Sequence, residues 1–499
     1  MTVVWIFQAE LIPDRKLIDL RRAHLFLLLS NYFILPMEKS TTRQKKRKLN
    51  IIHPYAAGID IGSRSHVVSV PPDLDDEPTR TFNGYTDDLK FLVQWLIGLG
   101  ITTVAMESTG IYWIPLYELL SNAGLEVYLV NARHVRNVPG RKTDVNDAQW
   151  LQQVHSYGLL QASFLPDRDI AQLRSFMRLR EQLTRSRASI QQQIQKALMQ
   201  MNLQLQHVVS DVMGVTGRNI ISAILLGVRD SKELAELRDE RCKNSKEMIE
   251  KALCGNYESD HLFELQIAFE IYNTYSSKIE AAEEMIEEAL LQLSKTAQKP
   301  LTGFDKADIL RSLPSVPKQR RKKVLSFDPG PMLQAITGRD VLQIPGLGEG
   351  TILTIISECG TDMTRWKTSK HFTSWLGLAP QNKITGGRIK SSRTRGGAGR
   401  AATAFFMAAM RVNKLDSALG AFSRRLAARA GKGKALVATA RKLAVLFYKM
   451  MSEGFTWNDM GSEAYEEQIR QRQVKNIIKK AETLGLRVLE DSLEAAPAS

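Results

Sequence analysis

The sequence predicts an α/β layer followed by a helical middle and a mainly helical C-terminal region, and three observations carry that prediction. Between Tyr55 and Val130 short apolar runs alternate with helical stretches, the pattern of a mixed sheet flanked by helices. Beyond Pro166 strand signals vanish and apolar residues recur at spacings of three and four among Gln and Arg. After Val341 helical segments are punctuated by glycine-rich, strongly basic stretches. At 499 residues the chain is long enough for two to four domains of ~100–200 residues each.

Taken in order, YAAGIDIG and HVVSV read as paired strands, followed by a polar break containing Pro71, Pro72 and Pro78. A helix is predicted over 86–98 with Thr86 as its cap, then strand TTVAME, a helix near 112–123, strand LEVYLV, and a helix opening at Asp144. The run from Leu173 to Gln206 predicts a long amphipathic coiled-coil arm, and a second long helix is expected at about 263–296, so that 166–296 reads as a helical hairpin. Residues 297–340, with their prolines and the run KQRRKK, read as a linker, 341–455 as a C-terminal domain and 456–499 as a helical tail. Within that domain VLQIPGLGEGTILTIISECG resembles a helix-hairpin-helix element, whose helix N-terminus suits a phosphate, although an ordinary helix connection reads almost as well. Downstream, NKITGGRIKSSRTRGGAGR has six Lys or Arg and no acid, and reads as a loop contacting nucleic acid through Arg388, Lys390, Ser391, Ser392, Arg393, Arg395 and Arg400.

Sixty-eight Lys plus Arg against 53 Asp plus Glu give a net charge of +15, which makes a polyanion the leading partner class. Three cysteines without a CxxC pair form neither a disulfide framework nor a zinc quartet, and a reducing cytoplasm fits best. The first 36 residues differ from the rest: Arg21 and Arg22 precede an 11-residue apolar stretch, LFLLLSNYFIL, too short for a bilayer span of ~20 residues. No small-residue cleavage site follows, so the favoured reading is a leader outside the folded protein, with Met37 as the start. Residues 37–54 then read as a flexible basic arm.

Four carboxylates stand out. Asp60 lies in the first strand between Ile59 and Ile61, and a lone carboxylate there is costly unless neutralised. Glu107 ends the strand AMESTG, and Asp144 and Asp147 in KTDVNDAQ are spaced to share a helical face. Acids at the ends of an α/β sheet, in a chain with excess positive charge, form a basin that divalent cations would neutralise, and hard oxygen ligands select Mg²⁺ or Mn²⁺ over zinc. Two such ions could activate a nucleophile and stabilise a leaving oxygen in phosphodiester chemistry. GIDIGS also looks like the phosphate loop of actin-like kinases, but no second glycine-rich phosphate loop follows. His66 and His134 have no partner at helical spacing and read as structural.

The motifs GIDIGSRSH, MESTGIYW, NARHVRNVPGRKTDVNDAQWL, VVSDVMGVTGRNII and IPGLG…FTSWLGLAPQNKITGG…SSRTR together resemble the DEDD transposases of the insertion-sequence one-ten family, in its eleven-eleven branch, over residues 55–480. The resemblance implies a RuvC-like domain of RNase H fold over 55–165, with Asp60, Glu107, Asp144 and Asp147 binding divalent metal. It implies a C-terminal transposase domain whose serine attacks DNA, composite sites shared between subunits of a homodimer or homotetramer, and a noncoding RNA from the element that chooses donor and target DNA. The chain departs at the nucleophile: KITGG places Thr385 at the serine position, and its extra methyl group stiffens χ1. A surface role ranks next for Thr385, and Ser391 or Ser392 as substitute nucleophiles rank last. The implied function is excision and insertion of a mobile element; the rivals are a structure-specific endonuclease using the same acids, and a non-catalytic nucleic-acid-binding protein.

Overall fold

The computed structural model describes residues 50–131, 135, 146–297, 325–395 and 399–486. The leader, the arm up to Leu49, His134, Asp144, the KQRRKK run and the end of the tail lie outside the described residues. The chain divides into two compact units at Ser163/Phe164.

The first unit is built on a five-stranded sheet in the order β3-β2-β1-β4-β5, with β1 (Ala56–Ile61), β2 (Ser65–Ser69), β3 (Thr79–Asn83), β4 (Thr103–Glu107) and β5 (Glu126–Val130). The pairings β1–β2 and β2–β3 are antiparallel, whereas β1–β4 and β4–β5 are parallel. That order and this mixture of directions make an RNase H-like fold. Helix α1 (Thr86–Gly98) and α2 (Trp113–Asn122) supply the crossovers that parallel strands require. Thr86 is the first helical residue of α1 and not its cap: Tyr85 occupies that position without a side-chain cap bond, and Asp87 and Asp88 complement the positive end of the helix instead. Strand β3 was not foreseen; it follows the proline break directly and, among the described residues, is an edge strand paired with β2 alone.

Helix α3 (Asp147–Ser156) lies against the other face of the sheet, and the reason it can do so is Gly58. A Cβ added there would stand 2.2 Å from Gln152 N and 2.4 Å from Ala148 O, so the strand and helix backbones approach as only glycine permits. Around this contact Ala105, Val130, Trp150, Leu151 and Val154 are buried together. The helix opens with Asn146, whose side chain accepts from Ala148 N, where a start at Asp144 had been expected.

At the opposite end of α3, His155 is almost fully buried against His53 and Tyr128. The Thr103 hydroxyl donates to Glu126 O at 3.0 Å, which spends its only hydrogen. The 2.9 Å contact to His155 Nε2 is therefore a donation from the ring, and Nδ1 is left as a buried acceptor without a partner among the described residues. Burial, aided by His53, holds this imidazole down to a pKa of about 4.

Among the described residues the second unit is helical apart from one hairpin. Its backbone is an antiparallel pair, α4 (Arg168–Gln200) and α6 (Ser259–Thr296), starting five residues before and four before the positions predicted. Ile170 and Leu173 of α4 and Ile286 and Leu290 of α6 join one core, while Ile194, Ala197 and Leu198 meet Leu265 and Ala268 in a second, which also includes Ile220, Ile221 and Ile224 of α5 (Val215–Leu225). Between the cores Arg180 donates to Glu283 at 2.6 Å, and Glu283 accepts from Ser326 N.

The first of these cores is completed by α7 (Gly330–Thr337), α8 (Glu349–Cys359), α9 (Ser369–Trp375), α10 (Arg400–Val412) and α12 (Lys432–Glu453). Helix α7 falls in the segment read as a linker, and its Leu333 and Ile336 are core residues. Arg178 grips Glu358 at the end of α8 through two bonds of 3.0 and 2.8 Å, tying the long pair to the C-terminal helices. Helices α11 (Ala418–Ala430) and α13 (Gly461–Thr483) pack on each other at the edge of this unit. Among the described residues no helix is long and apolar enough to cross a membrane.

Candidate functional site

Asp60 and Glu107 are brought together by strand register. In the parallel pairing Gly58 lies opposite Ala105 and Ile59 opposite Met106, which sets Asp60 opposite Glu107 at the carboxyl ends of adjacent strands. Side chains alternate along a strand, so both acids project to the face of Gly58 and Ala105, the face covered by α3. Asp147 is the first residue of that helix. The close approach at Gly58 is what carries it over the strand ends. The three acids line one cavity of about 450 Å³ with Ile61, Thr109, Val135, Trp150 and Leu151. Asp144, the fourth acid of the sequence reading, lies outside the described residues.

The electrostatics single out Asp60. Burial raises its pKa above the usual carboxylate value, and the neighbouring Asp147 charge raises it further, against a smaller opposing effect from His66. His66 on β2 is 3% exposed with Nδ1 lacking a hydrogen-bond partner among the described residues, and its burial lowers its pKa. It pairs with Ile61 on the neighbouring strand and does not line the cavity, while His134 lies outside the described residues. Four wall residues, Thr109, Val135, Trp150 and Leu151, were missed by sequence reasoning. Thr109 follows β4 in the turn where its N–H donates to Glu107 O at 2.9 Å. Trp150 presents a buried indole N–H with no partner among the described residues. Its place one turn into α3 from Asp147 was the available signal.

A carboxylate whose charge is opposed by burial and by a second carboxylate is stabilised by a cation, and the donors here are all hard oxygens. On that chemistry the site fits a divalent metal. Among the described residues no three Asp, Glu, His or Cys side chains stand close enough to enclose one ion, so the described acids form an open wall.

The basic stretch of the second unit is not the loop expected from its charge. It forms a hairpin of β6 (Lys383–Thr385) and β7 (Arg388–Ser391), extended by a bridge between Pro380 and Thr394. Gly386 and Gly387 make the two-residue turn with φ of +56° and +73°, the left-handed pair that a tight hairpin of this kind requires. Thr385 pairs with Arg388 and Ile384 with Ile389, so one face carries Thr385, Arg388 and Lys390 and the other the two isoleucines, each 61% exposed. The Thr385 hydroxyl is exposed and makes no hydrogen bond among the described residues. Ser391 Oγ accepts from Arg393 N, while Ser392 and Arg395 are exposed. Arg400 is engaged elsewhere: its Nε donates to Glu181 of α4 at 2.7 Å.

Comparison with known families gives two matches. Residues 57–203 match the DEDD transposase model of IS110, and residues 338–424 match the transposase model of the IS116/IS110/IS902 family. No curated protein matches the chain. The first match covers the sheet, the acid-lined cavity and α4; the second covers α8, the hairpin, α10 and the start of α11. The two matches, lying in this order along the chain, support an IS110-family insertion-sequence transposase.

Proposed function

We propose that this transposase cleaves and rejoins DNA strands by metal-dependent phosphoryl transfer, with Asp60, Glu107, Asp144 and Asp147 holding Mg²⁺ or Mn²⁺. The observation that carries the reading is the shared cavity of Asp60, Glu107 and Asp147, in which the Asp60 charge is destabilised by burial and by Asp147. A bound divalent cation supplies charge neutralisation at the scissile phosphate and activation of the attacking oxygen. Asp60 and Glu107, fixed on adjacent strands, orient that phosphate; Trp150 and Leu151 keep bulk water from one wall; Asp147 completes the anionic surface from the helix. The Thr385 hydroxyl is the group we assign to take the DNA end, with Arg388 and Lys390 on its own hairpin face as phosphate contacts.

Binding of DNA follows from the family; the element ends and the target are the substrates we assign. The remaining parts of the reading rest on the family resemblance and the net charge of +15: guidance by an RNA from the element, membership of the eleven-eleven branch, work as a homodimer or homotetramer, and a cytoplasmic setting. The test uses Asp60→Asn in the full chain. Excision and strand transfer should fall on the order of a thousand-fold or more, DNA binding should persist, and the variant should melt no lower than the parent at pH 7, because a charge opposed by burial and by Asp147 has been removed. Retained strand transfer would overturn the metal assignment. One observation favours a second reading, a nuclease using water: Thr385 has no base within hydrogen-bond reach among the described residues. Free DNA ends without a protein–DNA adduct would support that alternative.

A further inference from the structure

Outside the acid-lined site, the second unit has a cavity of about 530 Å³ between α11, α12 and α13, and its lining is unusual in composition. Four aromatic side chains (Phe422, Phe455, Trp457 and Tyr465) and three cations (Arg425, Lys442 and Arg472) face it, and no carboxylate does. None of those cations has an ion-pair partner among the described residues. Two of them lie against rings: Lys442 Nζ stands 4.4 Å from the Phe422 ring centre and 5.9 Å from that of Tyr465, and Arg425 lies 5.8 Å over Tyr465 while donating to its hydroxyl at 3.1 Å. Burial and the nearby Arg425 and Arg472 charges lower the Lys442 pKa. The Trp457 indole N–H is buried without an acceptor among the described residues. The clustered like charges and the orphaned indole N–H are costs in the protein alone, and a ligand that is anionic, aromatic and rich in acceptors relieves both.

We propose that this cavity receives one unpaired nucleotide of a single-stranded nucleic acid, its base stacked among Phe455, Trp457 and Tyr465 and its phosphate held by Lys442, Arg425 and Arg472. The volume falls in the range of sites that take a small ligand, about 300–1,000 Å³, and a concave aromatic pocket accepts a splayed base where a duplex would keep its bases stacked. Sequence-tolerant capture of single strands combines these two elements, aromatic platforms and a cationic backbone clamp. The site lies wholly within the second unit and needs none of the acids of the first, so its fate is separate from that of the metal reading.

The test is photochemical cross-linking of the full-length protein to a 12-nucleotide single strand carrying 4-thiouridine, with a 4-thiothymidine DNA strand of the same sequence beside it and mass spectrometry of the linked peptides. Cross-links should map to the segment Phe455–Tyr465 or to Phe422, adenosine 5′-monophosphate should compete, and the duplex form should not label this segment. The strand that labels more strongly identifies RNA or DNA as the source. Lys442→Gln should lower labelling about tenfold, the loss of one strong phosphate or stacking interaction. Arg472→Gln, a change at an exposed position on α13, should lower it severalfold with the melting temperature unchanged. Asp60→Asn should label as the parent does. Labelling that is absent from these peptides, equal with duplex, or unchanged in both variants overturns the proposal, as does displacement by polyglutamate at concentrations where the mononucleotide has no effect.

Discussion

The acid-lined cavity and the basic hairpin, to which the proposed function gives the same kind of group, a phosphate, are built with opposite structural economies. In the first unit the charged side chains stand on adjacent strands, under a helix whose backbone nearly touches β1 at Gly58, and the fold itself bears the cost of burying Asp60 beside Asp147. In the second unit Thr385, Arg388 and Lys390 ride on a two-residue turn in which a Cβ at Gly386 or Gly387 would find nothing within 4 Å. Groups that must meet a developing charge in one geometry are best fixed in advance by packing, as the acids are, whereas backbone-holding groups such as Arg388 and Lys390 can be left exposed for the ligand to order; Thr385, the assigned nucleophile, is the residue that departs from this rule.

The sharpest way to break this comparison is at Thr385. If the exposed hydroxyl is the nucleophile, Thr385→Ala abolishes a covalent protein–DNA adduct on denaturing gels, while Thr385→Ser retains it and reacts at least as fast, because the methyl group that stiffens χ1 is gone. An adduct that survives Thr385→Ala moves the chemistry elsewhere. Next in size is a matched pair of glycine substitutions. Gly58→Ala should destabilise the first unit by about 3 kcal/mol or more in a denaturant melt, since the atoms the new methyl group meets are all backbone. Gly387→Ala, with φ of +73° and open surroundings, should cost only about 1 kcal/mol, confined to the hairpin. Equal costs at the two positions would contradict the contrast.

A third test asks whether packing in the first unit is paid for in protons. The folded His155 titrates at about 4 against about 6.5 when unfolded, so the folded form binds fewer protons and its stability is complete above pH 6.5 and falls as pH drops towards 4. The loss should reach about 3 kcal/mol, and His155→Gln should flatten that part of the pH–stability curve. The smallest effect belongs to the hairpin: Arg388→Gln should weaken DNA binding uniformly across sequences and reduce the slope of log K against log salt by about one.

Much of the first unit was legible because its signals are local. Apolar alternation exposed β1 around Asp60, and a strand ending in an acid exposed Glu107. Strand β3 escaped because TRTFN is short, mostly polar and dependent on β2 for its identity. The hairpin escaped for a different reason: the turn signal, two glycines between alternating residues, was present in ITGGRI, but the density of charge argued for a loop. Gly58 could not have been read, since the backbone it accommodates belongs to a helix some ninety residues later. The same holds for Thr109 and Trp150, which face the cavity only once the strand ends and α3 are superposed. Arg400 adds a contact that its position in the sequence did not show, a hydrogen bond from its Nε to Glu181 of α4.

The antiparallel pair α4 and α6 has its own implication. Each helix runs unbroken from one apolar core to the other, with about 36 Å of helix between Ile170 and Ile194. Any pull exerted on the far lobe is delivered along the helix axes, the direction in which hydrogen-bonded turns yield least, so the arm behaves as a strut under load and not as a tether.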